Sequence, residues 1–106
     1  MQAAQISPAL PKTSRDIPLW QRWNDYGIGL LLQGDLRGAA AAFRRVIAID
    51  PDYPDGPVNL AFALLQEGDI ESAVPHLEVA LEIAPEFARA HFFLGSGLRK
   101  LGQYDA

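Results

Sequence analysis

An all-α solenoid of short paired helices is the fold this sequence predicts, and three observations predict it. Residues recur every 34 positions: Gly34, Gly68 and Gly102; Gly27, Ala61 and Gly95; Leu30, Leu64 and Leu98; Ala39 with Ala73, Phe43 with Leu77, Pro51 with Pro85. Within each unit the apolar residues fall at helical spacing. Gly-Asp and Asp-Pro pairs stand where one helical stripe stops and the next starts. A fixed period of this length means stacked supersecondary units that bury their apolar faces on one another. Such a stack offers an extended surface, so recognition is expected before chemistry.

Residues 1–17, with Pro8 and Pro11 among small and polar residues, are expected to be an irregular leader. Asp16 is the expected N-cap of the first helix, with Pro18 just inside it. Trp20, Trp23, Tyr26, Gly27, Leu30 and Leu31 form that helix's stripe, and Gly34-Asp35 closes it. Leu36, Ala39, Ala40, Phe43, Val46 and Ile47 carry the second helix to Asp50-Pro51. The third begins near Asp55 and Pro57, and the fourth runs from about Ile70 to Ala84. Pro75 is read as sitting early enough in the fourth helix for its missing N–H to be tolerated. The fifth runs from about Ala88 to Leu101. Gly27, Ala61 and Gly95 mark places where a partner helix comes close, with Phe43, Leu77 and Trp23 filling the space around them.

Bulk properties narrow the function. At 106 residues and 49% hydrophobic content, the chain is one small domain or part of a larger protein. The absence of an 18-residue apolar run predicts no membrane span, and the first residues lack a secretion signal's apolar core, so a soluble, cytoplasmic protein is favoured over an exported one. Without cysteine there is no thiolate metal site, haem attachment or cysteine nucleophile. The net charge of −4 is segregated: residues 46–88 carry nine acids and no Lys or Arg, while the flanks are basic. An acidic middle argues against nucleic acid, which needs a contiguous basic face.

No constellation for catalysis stands out. His76 and His91 lie on different helices without a second ligand at metal spacing. Gly27-Ile28-Gly29 follows no strand and is no phosphate loop. The expectation is a protein that is not an enzyme and needs no cofactor.

Trp23-Asn24-Asp25-Tyr26-Gly27, Leu30, Gly34-Asp35, Ala39, Phe43, Ile47 and Asp50-Pro51 together resemble a tetratricopeptide repeat. Asn59-Leu60-Ala61, Leu64, Gly68-Asp69, Ala73, Leu77, Ala80-Leu81 and Pro85 resemble a second. Leu94-Gly95, Leu98 and Gly102-Gln103-Tyr104-Asp105 resemble the front half of a third. The expected organisation is therefore a repeat domain over 18–106: repeat one at 20–53, repeat two at 54–87, and the first helix of repeat three at 88–106. Pro57 and His91 replace Trp23 in their columns, so those helix starts are expected to pack less tightly.

The resemblance implies antiparallel helix pairs in a right-handed superhelix, about two and a half repeats long, whose first helices line a concave groove. It further implies that the groove binds a peptide or partner protein. The groove residues it points to are Asn24, Ile28, Val58, Asn59, Phe62, Arg89, Phe92, Phe93 and Arg99. Their middle is apolar, and Arg89, Arg99 and Lys100 form an expected basic end suited to an acidic ligand terminus. The family's chaperone-tail carboxylate clamp would fall on Asn24, Ile28, Asn59, Arg89 and Phe93, of which only Asn59 and Arg89 fit.

Two alternatives stand beside the groove. The chain could be a structural appendage or fragment of a larger enzyme or electron-transfer protein. It could also self-associate, because Leu94, Leu98 and Leu101 are expected on a flank of the fifth helix with no helix to cover them. Along the opposite face, the 34-residue spacing pairs Arg37 with Glu71 and Arg44 with Glu78 or Glu82.

Overall fold

A computed structural model of the chain describes residues 17–105. Five helices follow in order: α1 (Leu19–Leu32), α2 (Leu36–Ile49), α3 (Asp55–Gln66), α4 (Ile70–Ile83) and α5 (Ala88–Asp105). Each packs on the next, and α3 also touches α5, as a stacked array requires. The expected leader lies outside the described residues, except for Ile17. Asp16, the expected cap, lies outside them too. Pro18 itself takes the N-cap position at ψ 146°, and its carbonyl accepts from the N–H groups of Gln21 and Arg22. Its ring sits one residue outside the helix, not inside it.

The Gly-Asp pairs do two jobs at once. Gly34 and Gly68 adopt φ of 82° and 88°, the left-handed region open to glycine at little cost. Gly34 N–H donates to Leu31 and Asp35 N–H to Leu30, while Gly68 N–H donates to Leu65 and Asp69 N–H to Leu64. These bonds satisfy the last carbonyls of α1 and α3. Asp35 and Asp69 then cap the following helices, accepting from Gly38 N–H at 3.0 Å and Ser72 N–H at 3.3 Å.

The third glycine of the column behaves differently. α5 runs through Gly102 to Asp105, and Gly102 keeps a negative φ. The expected helix end at Leu101 is therefore corrected. Gln103 stands where the first two units have Asp35 and Asp69, and glutamine is not an N-cap residue. Without that cap the turn loses its second half and the helix continues.

The core joins all five helices. Phe43, Val46, Val58, Leu60 and Leu77 are its largest enclosed side chains, and Ala39, Ala61 and Ala73 are fully buried among them. Enclosing each large apolar side chain stabilises the fold by roughly 1.5–3 kcal/mol. The small-residue column works as expected at Gly27, where an added Cβ would meet the Phe43 ring. It does not at Gly95, which is exposed with nothing within 4 Å among the described residues. Close approach of α5 falls instead to Gly97, where a Cβ would lie 3.6 Å from both Ile70 and Val74. Pro57 is buried in the first turn of α3, so that start is not loosely packed; His91 is exposed. Pro75 is the sixth residue of α4, beyond the first turn, and removes the N–H that would reach the Glu71 carbonyl. Both residues are exposed, so water can take its place.

The stitching between α2 and α4 also differs from expectation. Arg37 reaches Glu67 at 3.7 Å, not Glu71. Arg44 comes within ion-pair distance of no carboxylate among the described residues. Its charge instead bears on His76, which burial and then Arg44 hold below the usual imidazole pKa.

Candidate functional site

The first helices of the three units, α1, α3 and α5, are tied side by side through polar side chains. Asn59 Nδ2 donates to Asn24 Oδ1 at 2.9 Å, joining α3 to α1. Arg89 Nη2 donates to Asn59 Oδ1 at 2.9 Å, and Arg89 Nη1 donates to Asp55 Oδ1 at 3.0 Å, joining α5 to α3. Asn24 and Asn59 are buried at 8% and 6% exposure, so their amides need these partners. Asp55 opens α3 and Arg89 stands in the first turn of α5, 34 residues on, so equal register brings them together.

Tyr53 borders this network from the α2–α3 connection. Its ring lies 4.3 Å from that of Trp20, centroid to centroid, at a 42° tilt. Burial, followed by the Asp55 hydrogen bond and the Asp55 charge, pushes the Tyr53 phenol up to about 12. Charge from Asp25 adds to the rise, and Arg89 opposes it. Two carboxylates and one guanidinium thus surround this end of the face.

Next along the face come aromatic rings. Phe62 of α3 and Phe93 of α5 stand 5.4 Å apart at a 45° tilt, and Phe92 meets Phe93 edge-on at 5.4 Å. Such pairs contribute roughly 0.5–1.5 kcal/mol beyond their buried area. Phe93 packs against the core, whereas Phe92 is 71% exposed. Ile28 of α1 is exposed as well.

The residues read from the sequence therefore divide. Asn24, Asn59 and Arg89 meet in one network. Phe62, Phe92 and Phe93 form one aromatic ridge. Val58 is fully enclosed in the core and does not reach the surface, because its position on α3 points toward the packed side. Arg99 is exposed on α5, as is Lys100. The expected single basic end is also corrected. Arg89 and Arg99 are ten residues apart on one helix, about 15 Å along its axis, and Arg89 is already paired with Asp55. The sequence reading named Arg89 for this face but not its pairing with Asp55.

A hollow also lies beside α1. Leu19, Arg22, Trp23 and Tyr26 line an open hollow of about 440 Å³, with the Arg45 guanidinium 5.2 Å from the centre of the Trp23 ring. No group of three or more His, Asp or Glu side chains suited to a metal occurs among the described residues. No helix among them is long and apolar enough to cross a membrane.

Comparison with known proteins agrees with this architecture. The family model described as tetratricopeptide repeat matches residues 30–91, more than half of the chain. The human aspartyl/asparaginyl beta-hydroxylase is 28% identical over 86 residues, which is 78% of this chain and 11% of the hydroxylase. The TPR repeat-containing thioredoxin TTL4 of Arabidopsis thaliana is 35% identical over 73 residues, 69% of this chain and 11% of that protein. The chain thus spans about a tenth of the length of these relatives. Among solved structures, the second TPR of Spaghetti (RPAP3), bound to the HSP90 peptide SRMEEVD, superposes with a TM-score of 0.77 at 24% identity, covering 81% of this chain and 80% of that one.

Proposed function

Because this chain belongs to the tetratricopeptide repeat family, we propose that it is a protein-interaction module without enzymatic activity, holding a peptide or helix on its α1–α3–α5 face. The observation that carries the reading is the aromatic ridge. Phe92 is 71% exposed beside Phe93 and Phe62, a clustering of apolar rings that marks recognition surfaces. The structurally similar RPAP3 domain holds a peptide, which supports peptide as the ligand class. The ligand is an apolar extended or helical segment, with any acidic end directed to Arg99 and Lys100. Selecting peptides from a random library on the purified chain tests this. Binders that lose affinity on Phe62→Ala and Phe93→Ala support it, and binders indifferent to both changes remove it.

The length of the relatives favours a companion reading, in which the module serves as an appendage within a larger protein. The hydroxylase's activity is not carried over, since the chain matches 11% of that protein. Leu98, 51% exposed on the flank of α5, favours a further property. A second copy of the chain covers that flank, and light scattering on the chain and on Leu98→Gln reads it out.

A further inference from the structure

We propose that Asp55 is a built-in occupant of Arg89, filling the place a peptide carboxylate would take and turning that end of the groove away from acidic segments. The inference rests on the peptide-binding reading of this face and names the chemistry it selects.

A guanidinium recognises a carboxylate best as a fork, with two parallel N–H donors on the two carboxylate oxygens. At Arg89 one N–H of each Nη is already committed to the chain itself. Nη1 donates to Asp55 Oδ1 at 3.0 Å and Nη2 to Asn59 Oδ1 at 2.9 Å. Asn59 is held in turn by Asn24, so the acceptor on the second arm is fixed and buried. An incoming carboxylate has to share the guanidinium with Asp55, whose charge already offsets that of Arg89.

That sharing is opposed by charge as well as by occupancy. Asp55 remains about a third exposed after pairing, and the Asp25 and Asp55 charges both reach Tyr53 from this same end. At Tyr53 two carboxylates act against one guanidinium, a balance that disfavours a further carboxylate beside it. Like charges brought together at an interface suppress binding of the wrong partner. The segment that fits carries a neutral or basic residue here, and its apolar residues lie on Phe62, Phe92 and Phe93. Arg99 and Lys100 stand near the other end of α5, so the two ends of the groove differ in charge and set the direction in which a peptide lies.

The acidic heptapeptide SRMEEVD, bound by the similar RPAP3 domain, is the probe. Its affinity is measured by fluorescence anisotropy on the full chain, on Asp55→Asn and on Asp55→Ala, with helix content checked by circular dichroism. Asp55→Asn keeps the shape and an acceptor for Arg89 while removing the charge, and Asp55→Ala frees Nη1 outright. The expected result is affinity at least about tenfold higher on both variants than on the unaltered chain. That gain disappears when the peptide's C-terminus is amidated or when Arg89→Gln is added. Equal affinity on all three proteins, a gain that survives amidation or the loss of Arg89, or no binding to either variant at millimolar peptide each overturns the inference. Failure of the underlying reading shows separately, as a random library that yields no binder dependent on Phe62 and Phe93.

Discussion

Gly27 of α1 lies against the ring of Phe43 in α2, so close that a Cβ built on the glycine would sit 2.6 Å from Cε1. Phe43 is fully enclosed and has no room to retreat. One unit later the same columns hold Ala61 and Leu77, both buried in the same core. The unit with the larger aromatic has the smaller helix partner, so the two columns share one fixed volume.

That relationship predicts a paired rescue. Gly27→Ala should destabilise the fold by about 1–3 kcal/mol through overpacking, and Gly27→Leu by more. Adding Phe43→Leu to Gly27→Ala should recover most of the loss, because the pair then matches Ala61 and Leu77. Glu71→Leu, on an exposed position of α4, serves as the neutral control. Thermal melts of the single and double variants measure this, and additive losses in the double variant would contradict the shared-volume account.

The turn between α1 and α2 should be sensitive at both of its residues. Gly34→Ala forces a Cβ into the left-handed region at φ 82° and should cost about 1–2 kcal/mol. Asp35→Ala removes the cap on Gly38 N–H and should cost about 0.5–2 kcal/mol. Gly102→Ala should stabilise α5 or leave it unchanged, because that glycine sits inside a continuous helix. Urea unfolding of the three variants distinguishes them.

Two groups give stability a pH dependence of known sign. His76 has a folded pKa below its ordinary value of 6.5, from burial first and Arg44 second. The unfolded chain therefore binds the proton more readily, and stability falls as pH drops below about 6.5. Tyr53 is displaced the other way, from 10.0 to about 12. The unfolded phenol ionises first, so its contribution is intact below pH 10 and is lost as pH rises through about 12. His76→Gln should flatten the acid limb and Tyr53→Phe the alkaline one in a series of melts. Asp55→Asn should lower the Tyr53 titration without returning it to 10.0, since burial is the larger cause.

The flank of α5 predicts a concentration-dependent size. Leu98 is 51% exposed, and covering a leucine contributes roughly 1.5–3 kcal/mol. Light scattering should show association of the chain that weakens in Leu98→Gln. A size that is constant with concentration and unaffected by the substitution would contradict coverage by a second copy.

Much of the scaffold is legible in the sequence because repetition multiplies weak signals. Gly34 and Gly68 fix turns, and the apolar columns fix which helix faces meet. What the sequence left hidden depends on single substitutions within a column. Gln103 in place of an aspartate lets α5 run past Gly102. At the site, the 34-residue spacing that suggested Arg37 with Glu71 applies equally to Asp55 with Arg89, and there it holds. The difference is reach. Asp55 and Arg89 sit in first turns of neighbouring helices with Asn59 bracing the guanidinium, whereas Arg37 is exposed at 95% and finds Glu67 instead. Val58 shares α3 with Phe62, yet a helix face cannot be divided into buried and open edges until its neighbours are in place.

Peptide binding on the α1–α3–α5 face through its aromatic ridge has a direct calorimetric test. An apolar peptide selected on the chain is titrated by calorimetry against the chain, Phe62→Ala, Phe93→Ala, Asn24→Ala and Glu71→Ala, each checked for helix content. The two phenylalanine changes should each weaken binding by about 2 kcal/mol or more. Asn24→Ala should weaken it less, and Glu71→Ala, on α4, should leave it alone. Binding that survives both phenylalanine changes in folded protein would contradict that role for the ridge.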